Sequence, residues 1–216
     1  MKTILCFGDS LTWGFEAETH KRHPFEMRWP NALGAELGGG YRIIAEGLNG
    51  RTTVHDDNLV DELRNGSKAL PMLLSSHQPL DLVIIMLGSN DLKHPWWSRA
   101  SDARRGMQRL VQITQRFPYG IGMRDPKILI IAPPPIVHTD NADFDAMFSH
   151  AIKESQKFGV EYKKLADEFS IAFFDASKVV VADPRDGIHL DAENTQKLGQ
   201  SLAPLVRELL GEPKDK

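Results

Sequence analysis

The sequence has little cysteine and no long apolar run. Cys6 is the only cysteine among the 216 residues, so no disulfide can form within the chain. No stretch approaches the roughly 18 consecutive apolar residues of a transmembrane helix, so we expect no membrane partner. The apolar stretch at the N-terminus is too short for the core of a secretory signal. From these absences we expect a cytoplasmic protein.

The chain also lacks the charge and the motifs of nucleic-acid and nucleotide binders. Its net charge is −3, without a basic patch that could follow a phosphate backbone, so we expect no nucleic-acid partner. Neither a P-loop nor a glycine-rich dinucleotide motif follows the first predicted strand. Histidine and acidic residues show no spacing typical of metal ligands, and we predict neither a metal nor a cofactor.

What the sequence does contain is an alternation of strand-like and helix-like segments. Most of the apolar runs of strand length are continuously apolar, which is typical of strands buried on both faces of a parallel sheet. They lie at residues 2–7, 41–46, 81–87, 127–132 and 171–175, and helical periodicity occupies residues 30–37, 67–77, 101–117, 144–169 and 191–211. This pattern predicts one α/β domain over residues 1–216, a three-layer α/β/α sandwich with a mostly parallel five-stranded sheet in flavodoxin-like order.

Three residues that could form a catalytic triad lie in the loops of this predicted fold. Ser10 follows the first strand directly, and Asp186 and His189 share a short loop before the last helix. An imidazole can take the proton of a serine hydroxyl while a carboxylate orients the imidazole. We therefore predict Ser10 as nucleophile, His189 as base and Asp186 as the residue that orients it. Each motif alone also fits a structural role, a helix cap for Ser10 and a surface turn for the other two.

Donors for a developing oxyanion are predicted at the same edge of the sheet. Gly50 follows the second strand and Asn90 the third, and the backbone N–H of Ser10 adds a further donor. In an open α/β sheet, loops at the carboxyl ends of the strands bind the ligand. Asn-Gly and Gly-Ser-Asn-Asp are also ordinary turn sequences, so it is the coincidence of nucleophile, donors and base at one edge that favours an acyl-transfer site.

With Ser10, Gly50, Asn90 and His189 in these positions, the sequence resembles the SGNH branch of the GDSL hydrolases. Its flanking residues are similar to those of bacterial short-chain arylesterases. The resemblance implies the flavodoxin-like fold and metal-free hydrolysis of short-chain, acetyl-like esters, including aryl esters. It also implies acyl transfer to alcohols or peroxide and assembly into homo-oligomers.

Other functions remain open at this point. A carbohydrate acetyl esterase, a lysophospholipase or a thioesterase would keep the same triad and change only the pocket. A non-catalytic binding module on the same fold is a further alternative. In each case the partner is a small molecule.

Several residues beside the motifs are candidates for the substrate pocket, namely Asp9, Trp13, Asn49, Trp96 and Trp97. Large aromatic side chains line pockets and fill cores alike, so Trp13 fits either position. The adjacent pair Trp96 and Trp97 in a proline-containing loop fits an active-site rim, an oligomer interface or a small local core.

Overall fold

A parallel five-stranded sheet lies between two layers of helices in the computed structural model, which describes residues 1–211. Its strands are β1 (Lys2–Gly8), β2 (Tyr41–Gly47), β3 (Leu82–Met86), β4 (Lys127–Ala132) and β5 (Ala172–Asp175). They are ordered β2-β1-β3-β4-β5 and every neighbouring pair is parallel. The predicted flavodoxin-like α/β fold is confirmed.

The helices of the described residues are α1 (Ser10–Trp13), α2 (Trp29–Leu37), α3 (Gly66–His77), α4 (Ala100–Arg116), α5 (Ala142–Phe148), α6 (Ile152–Ser155), α7 (Phe158–Phe169) and α8 (Ala192–Leu210). Short 3₁₀ turns occupy Phe25–Met27, Ser89–Leu92, Ser149–Ala151 and Ala176–Lys178. Within residues 1–211, no helix is long and apolar enough to cross a membrane.

Side chains of the central strands alternate between two hydrophobic cores. Leu5 and Phe7 of β1 pack in the core beneath α3, α4 and α7, whereas Ile4 and Cys6 pack in the core beneath α2 and α8. Successive side chains of a strand point to opposite faces, so continuous apolar runs are needed where helices cover both faces. This double burial holds the carboxyl edge of the sheet in place.

The predicted helix over residues 144–169 is wrong as a single element. Apolar periodicity continues through this segment, but the structure divides it into α5, a 3₁₀ turn, α6 and α7. Polar side chains bind backbone groups at the breaks: Ser155 Oγ accepts a hydrogen bond from Ile136 N, and His150 Nε2 lies 2.8 Å from the Leu92 carbonyl oxygen. These contacts tie the breaks to backbone groups that lie far away in the sequence.

Candidate active site

Ser10 lies at the carboxyl edge of the sheet, at the first position of α1. Asp9 caps this short helix, because its carboxylate accepts a hydrogen bond from Leu11 N at 3.0 Å. Gly8 allows the close turn from strand to helix, since a Cβ there would lie 2.0 Å from Thr12 Oγ1 and 2.8 Å from the Met86 carbonyl oxygen. The Ser10 side chain is consequently fixed at the end of a central strand, and the residue is 8% exposed.

His189 and Asp186 meet Ser10 from the loop before α8. His189 Nε2 lies 2.8 Å from Ser10 Oγ, and His189 Nδ1 lies 2.6 Å from Asp186 Oδ2. The other carboxylate oxygen of Asp186 accepts hydrogen bonds from the backbone N–H groups of Ile188 and His189. The structure therefore brings together the three residues that the sequence predicts as a triad.

The charge state of Asp186 decides where the imidazole proton lies. Burial alone would raise the pKa of Asp186, but its hydrogen bond to His189, the charge of that ring and the two backbone N–H groups hold it below the ordinary value. An ionised carboxylate can only accept, so the shared hydrogen belongs to His189 Nδ1. His189 Nε2 is then free to accept the proton of Ser10.

Gly50 and Asn90, predicted as oxyanion donors, border the same cavity as Ser10. The N–H of Gly50 donates no hydrogen bond to residues 1–211, and that of Ser10 has no acceptor inside its helix because Ser10 is the first helical residue. Asn90 Nδ2 donates to Asp9 Oδ2 and to the Arg51 carbonyl oxygen, both at 3.2 Å. These contacts fix the orientation of the Asn90 amide group at the cavity that Ser10 also borders.

Arg51 is a buried cation beneath the site that sequence reasoning missed. Its guanidinium donates to the carbonyl oxygens of Gly8, at 2.7 Å, and Glu46, and it lies 4.3 Å from the centre of the Phe7 ring. Burial lowers the pKa of Arg51 to about 10, against the opposing charges of Glu46 and Asp9. The side chain ties the carboxyl ends of β1 and β2 together.

Two other carboxyl groups are buried next to the site. Burial raises the pKa of Asp9 to about 6, although Leu11 N, the charges of His189 and Arg51, and Asn90 oppose the shift. Burial raises the pKa of Asp91 to about 7, against the hydrogen bonds from Thr53. Both groups titrate much closer to neutrality than an ordinary aspartate does.

A cavity of about 250 Å³ opens on Ser10 and His189 and has two chemically distinct walls. Phe15 and Phe144 flank the imidazole, with ring centres 4.2 and 5.7 Å from that of His189. The apolar wall consists of Phe15, Phe144, Met147, Phe148 and Ile188, and the polar wall of Asn49, Gly50, Arg64, Asn90 and Lys93. Since ligand pockets usually measure about 300–1,000 Å³, this one is small.

Of the five residues predicted around the substrate, Asn49 lines this cavity and the other four do not. Asp9 is buried behind Asn90. Trp13 packs beneath the Arg22 guanidinium, whose centre lies 5.0 Å from the ring. Trp96 stacks on His55. Trp97 lies against His150 and is itself 57% exposed. The predicted aromatic wall is therefore corrected: other aromatic residues supply it.

The residues that do form the apolar wall gave no separate signal in the sequence. Phe144, Met147 and Phe148 repeat at helical spacing, which is also the pattern of a core-facing helix. Their position over the site depends on the break after α5. Phe15 lies in a long connection, where periodicity carries no information.

Residues 1–211 contain no cluster of three or more His, Cys, Asp or Glu side chains that could hold a metal ion. Cys6 is fully buried in β1, and burial raises the pKa of its thiol. A thiol in this state is a poor nucleophile. Ser10 is thus the nucleophile that the geometry of the cavity favours.

Comparison with known proteins identifies relatives over almost the whole chain. Residues 6–196 match the model of the GDSL-like Lipase/Acylhydrolase family. An acetylxylan esterase of Xylanibacter ruminicola is 24% identical over 94% of this chain. The chain spans 43% of the length of that relative.

Solved structures give a closer match. A carbohydrate acetylesterase family member from Sinorhizobium meliloti is 48% identical, with a TM-score of 0.95 over 98% of this chain and 100% of its own. The native aryl esterase of M. smegmatis is 39% identical, with a TM-score of 0.92 over 97% of this chain and 100% of its own.

Proposed function

The chain belongs to the GDSL-like Lipase/Acylhydrolase family, and on that premise we propose that it is a serine esterase that cleaves short-chain, acetyl-like carboxylic esters. The observation that carries the proposal is the chain of contacts from Ser10 Oγ through His189 to Asp186 at the mouth of a small cavity. A serine hydroxyl becomes an effective nucleophile when an oriented imidazole accepts its proton. The arylesterase and carbohydrate acetylesterase relatives support this activity.

The reaction begins when His189 Nε2 takes the proton of Ser10 as Oγ attacks the ester carbonyl carbon. The oxygen of the tetrahedral intermediate accepts hydrogen bonds from the backbone N–H groups of Ser10 and Gly50 and from Asn90 Nδ2. For this, the Asn90 amide shares with the substrate the hydrogen that the Arg51 carbonyl oxygen accepts at 3.2 Å.

The intermediate collapses when protonated His189 gives its proton to the leaving alcohol, and an acyl group stays on Ser10. A water molecule, deprotonated by His189, then attacks the acyl carbon. The second tetrahedral intermediate breaks the bond between the acyl carbon and Ser10 Oγ, His189 returns its proton to Oγ, and the acid is released. Asp186 holds the ring in one orientation in both halves and stabilises its positive charge.

Ser10→Ala tests this assignment. We expect kcat on phenyl acetate to fall by roughly 10⁴-fold or more, because the nucleophile of a triad is lost. A fluorophosphonate probe should label the native protein and Ser101→Ala, whose serine is exposed on α4, but not Ser10→Ala. Full esterase activity in Ser10→Ala contradicts the assignment of the nucleophile. A native protein that is neither labelled by the probe nor active on phenyl acetate would favour a non-catalytic binding module.

Cavity size supports short acyl groups, and the carbohydrate acetylesterase relative from Sinorhizobium meliloti supports a carbohydrate acetyl ester as an alternative substrate. A panel of phenyl acetate, phenyl octanoate and an acetylated sugar separates these possibilities. We expect the octanoate to be the poorest substrate, because the walls next to His189 are rigid aromatic rings. A preference for octanoate would instead favour the lysophospholipase or thioesterase alternative.

Acyl transfer to alcohols or peroxide is proposed as a side reaction of the same acyl-enzyme. Phe15 and Phe144 give an apolar surrounding to His189, where an alcohol competes better with water than it does in bulk solvent. The yield of propyl acetate against acetic acid in aqueous propanol measures this partition.

Assembly into a homo-oligomer is likewise a proposal. Apolar side chains are exposed in loops that follow β2 and β3, with Leu59 90% and Trp97 57% exposed. Light scattering on the purified protein measures its mass against the 24.2 kDa of one chain.

A further inference from the structure

Two cationic side chains, Arg64 and Lys93, line the cavity together with the aromatic rings. Their side chains are 20% and 12% exposed. Hydrolysis of a neutral ester needs no cation at this place, since three donors already serve the oxyanion. The two cations therefore have a role other than binding the oxyanion.

The two cations share one nearby carboxylate. Asp57 Oδ2 lies 2.9 Å from Arg64 Nη1 and 4.0 Å from Lys93 Nζ. Glu62 lies 3.9 Å from Arg64 Nη2, but its side chain is 56% exposed, so solvent weakens that attraction. Burial and the neighbouring Arg64 charge lower the pKa of Lys93, as expected of a cation with too few anionic partners.

The buried carboxyl groups of Asp9 and Asp91 do not supply an anionic partner for Lys93. No oxygen of Asp9 or Asp91 lies within 4 Å of Lys93 Nζ. Asp9 already accepts from Leu11 N and Asn90, and Asp91 from Thr53. Their charges act on Lys93 at longer range.

Both cations keep donors without acceptors in the described part of the chain. Arg64 Nε is buried and has no hydrogen-bond partner. Lys93 Nζ donates no hydrogen bond to residues 1–211; it lies 5.0 Å from the centre of the Trp96 ring. A buried donor left unpaired costs free energy, which a bound acceptor would recover.

The cations lie beside the oxyanion donors. A Cβ on Gly50 would lie 2.9 Å from Arg64 Cζ and Nε, so the guanidinium packs on the residue whose N–H faces the substrate. Lys93 follows Asn90 by three residues, after the 3₁₀ turn Ser89–Leu92. A substrate held in the cavity with its carbonyl at Gly50 and Asn90 has its remaining atoms next to both cations.

We propose that Arg64 and Lys93 bind a carboxylate carried by the ester substrate, so that the enzyme prefers anionic esters over neutral ones of the same shape. The inference rests on the proposed esterase function. The shared chemistry is a carboxylate a few bonds from the scissile carbonyl, on either the acyl or the alcohol part. Arginine and lysine bind carboxylates through charge-assisted hydrogen bonds.

The test compares kcat/KM for matched pairs of esters that differ in one charge. Phenyl hemisuccinate against phenyl succinamate places the charge on the acyl part, and 4-acetoxybenzoate against 4-acetoxybenzamide places it on the alcohol part. For each variant, kcat/KM on the anionic ester is divided by kcat/KM on the neutral ester. This ratio is then divided by the same ratio for the native enzyme, which removes differences in the intrinsic reactivity of the two esters.

We expect the ratio for one of the two pairs to fall on the order of 10-fold in Lys93→Met and in Arg64→Met. Lys93→Arg, which keeps the charge, should retain most of the preference, and added salt should reduce it in the native enzyme. Lys197→Met removes one positive charge from the exposed face of α8 and should change neither ratio. The pair that responds identifies the part of the substrate that carries the carboxylate.

Two results would overturn the inference. In one, both ratios stay the same in Lys93→Met and Arg64→Met, which means that the cations act on all esters alike or only hold Asp57. In the other, the native enzyme shows no preference for anionic esters, or a preference that added salt does not reduce. This second result overturns the inference even if neither methionine variant folds. Failure of the esterase proposal is seen separately, as neutral esters that are not cleaved through Ser10.

Discussion

Three carboxyl groups are buried around the site, and the balance between burial and stabilising contacts sets the direction of each pKa shift. Asp186 has its pKa lowered, whereas the pKa of Asp9 is raised to about 6 and that of Asp91 to about 7. Asp186 accepts from two backbone N–H groups and from His189, so its charged form is stabilised against burial. Asp9 and Asp91 accept hydrogen bonds too, but for these two groups burial outweighs the bonds and raises the pKa. The orienting carboxylate of the proposed triad is thus the one that stays ionised most readily.

Asn90→Ala is expected to lower kcat on phenyl acetate by about 10²–10³-fold, with a small change in KM. Loss of one side-chain donor to an oxyanion has this effect in other acyl-transfer enzymes, because the bond strengthens as charge develops. The N–H groups of Ser10 and Gly50 remain and account for the residual rate. Steady-state kinetics check the split between kcat and KM.

The matched control for Asn90→Ala is Asn58→Ala, since Asn58 is exposed in the loop after β2 and should leave both constants unchanged. A large rise in KM with kcat preserved would mean that Asn90 binds the ground state of the substrate. That result would remove Asn90 from the oxyanion role.

At the scale of elements, the close packing of α8 on α2 reverses the usual effect of a helical glycine. Gly199 lies inside α8, where alanine ordinarily stabilises a helix by about 1 kcal/mol. A Cβ at this position would lie 2.3 Å from the Trp29 carbonyl oxygen and 2.8 Å from Ala32 Cβ, so the helices would have to move apart. Overpacking of this kind costs about 1–3 kcal/mol, which exceeds the gain in propensity.

We therefore expect Gly199→Ala to lower the melting temperature, and Gln200→Ala, at the next and exposed position of α8, to change it little. Thermal unfolding followed by circular dichroism measures both. A Gly199→Ala variant more stable than the native protein would show that α2 and α8 can separate at no cost.

The order and type of the elements follow from the sequence, but a break inside a helical pattern does not. Apolar runs predicted all five strands, with each end within one residue of the observed end. Residues 144–169 keep an apolar face throughout, yet α5 ends at Phe148, and its apolar residues Phe144, Met147 and Phe148 line the cavity. Hydrophobic periodicity reports which residues are buried and is insensitive to what they are buried against.

At the scale of the whole molecule, topology explains why the proposed triad was predictable and most of the pocket was not. Parallel strands with crossover helices place their carboxyl ends on one edge, so Ser10, Asn90 and His189 converge although they are far apart in sequence. Arg64 and Lys93 come from long loops whose course depends on tertiary contacts such as the ion pair with Asp57. Lysine and arginine in loops usually face solvent, and nothing in their spacing indicates a cavity.

At this scale, the free energy of unfolding of the protein should depend on pH through the titration of Asp91. Its pKa is raised to about 7 in the folded protein from an ordinary value of 3.8. Between about pH 4 and pH 7 the folded chain holds a proton on Asp91 that the unfolded chain releases, so this group makes the free energy of unfolding fall as pH rises through that window. Below the window both states are protonated, and above it both are ionised.

Asp91→Asn removes this term and keeps a side-chain oxygen that can accept from Thr53 N, which lies 3.0 Å from Asp91 Oδ2. We expect the free energy of unfolding of the variant minus that of the native protein to increase by a few kcal/mol as pH rises from about 4 to 7. Urea titrations at a series of pH values measure the difference, which cancels the contributions of groups that do not interact with Asp91. Asp140→Asn, at an exposed position, should show the native pH dependence. Parallel curves for Asp91→Asn and the native protein would mean that Asp91 is ionised throughout the window, held so by the hydrogen bonds of Thr53 and the nearby His55 ring.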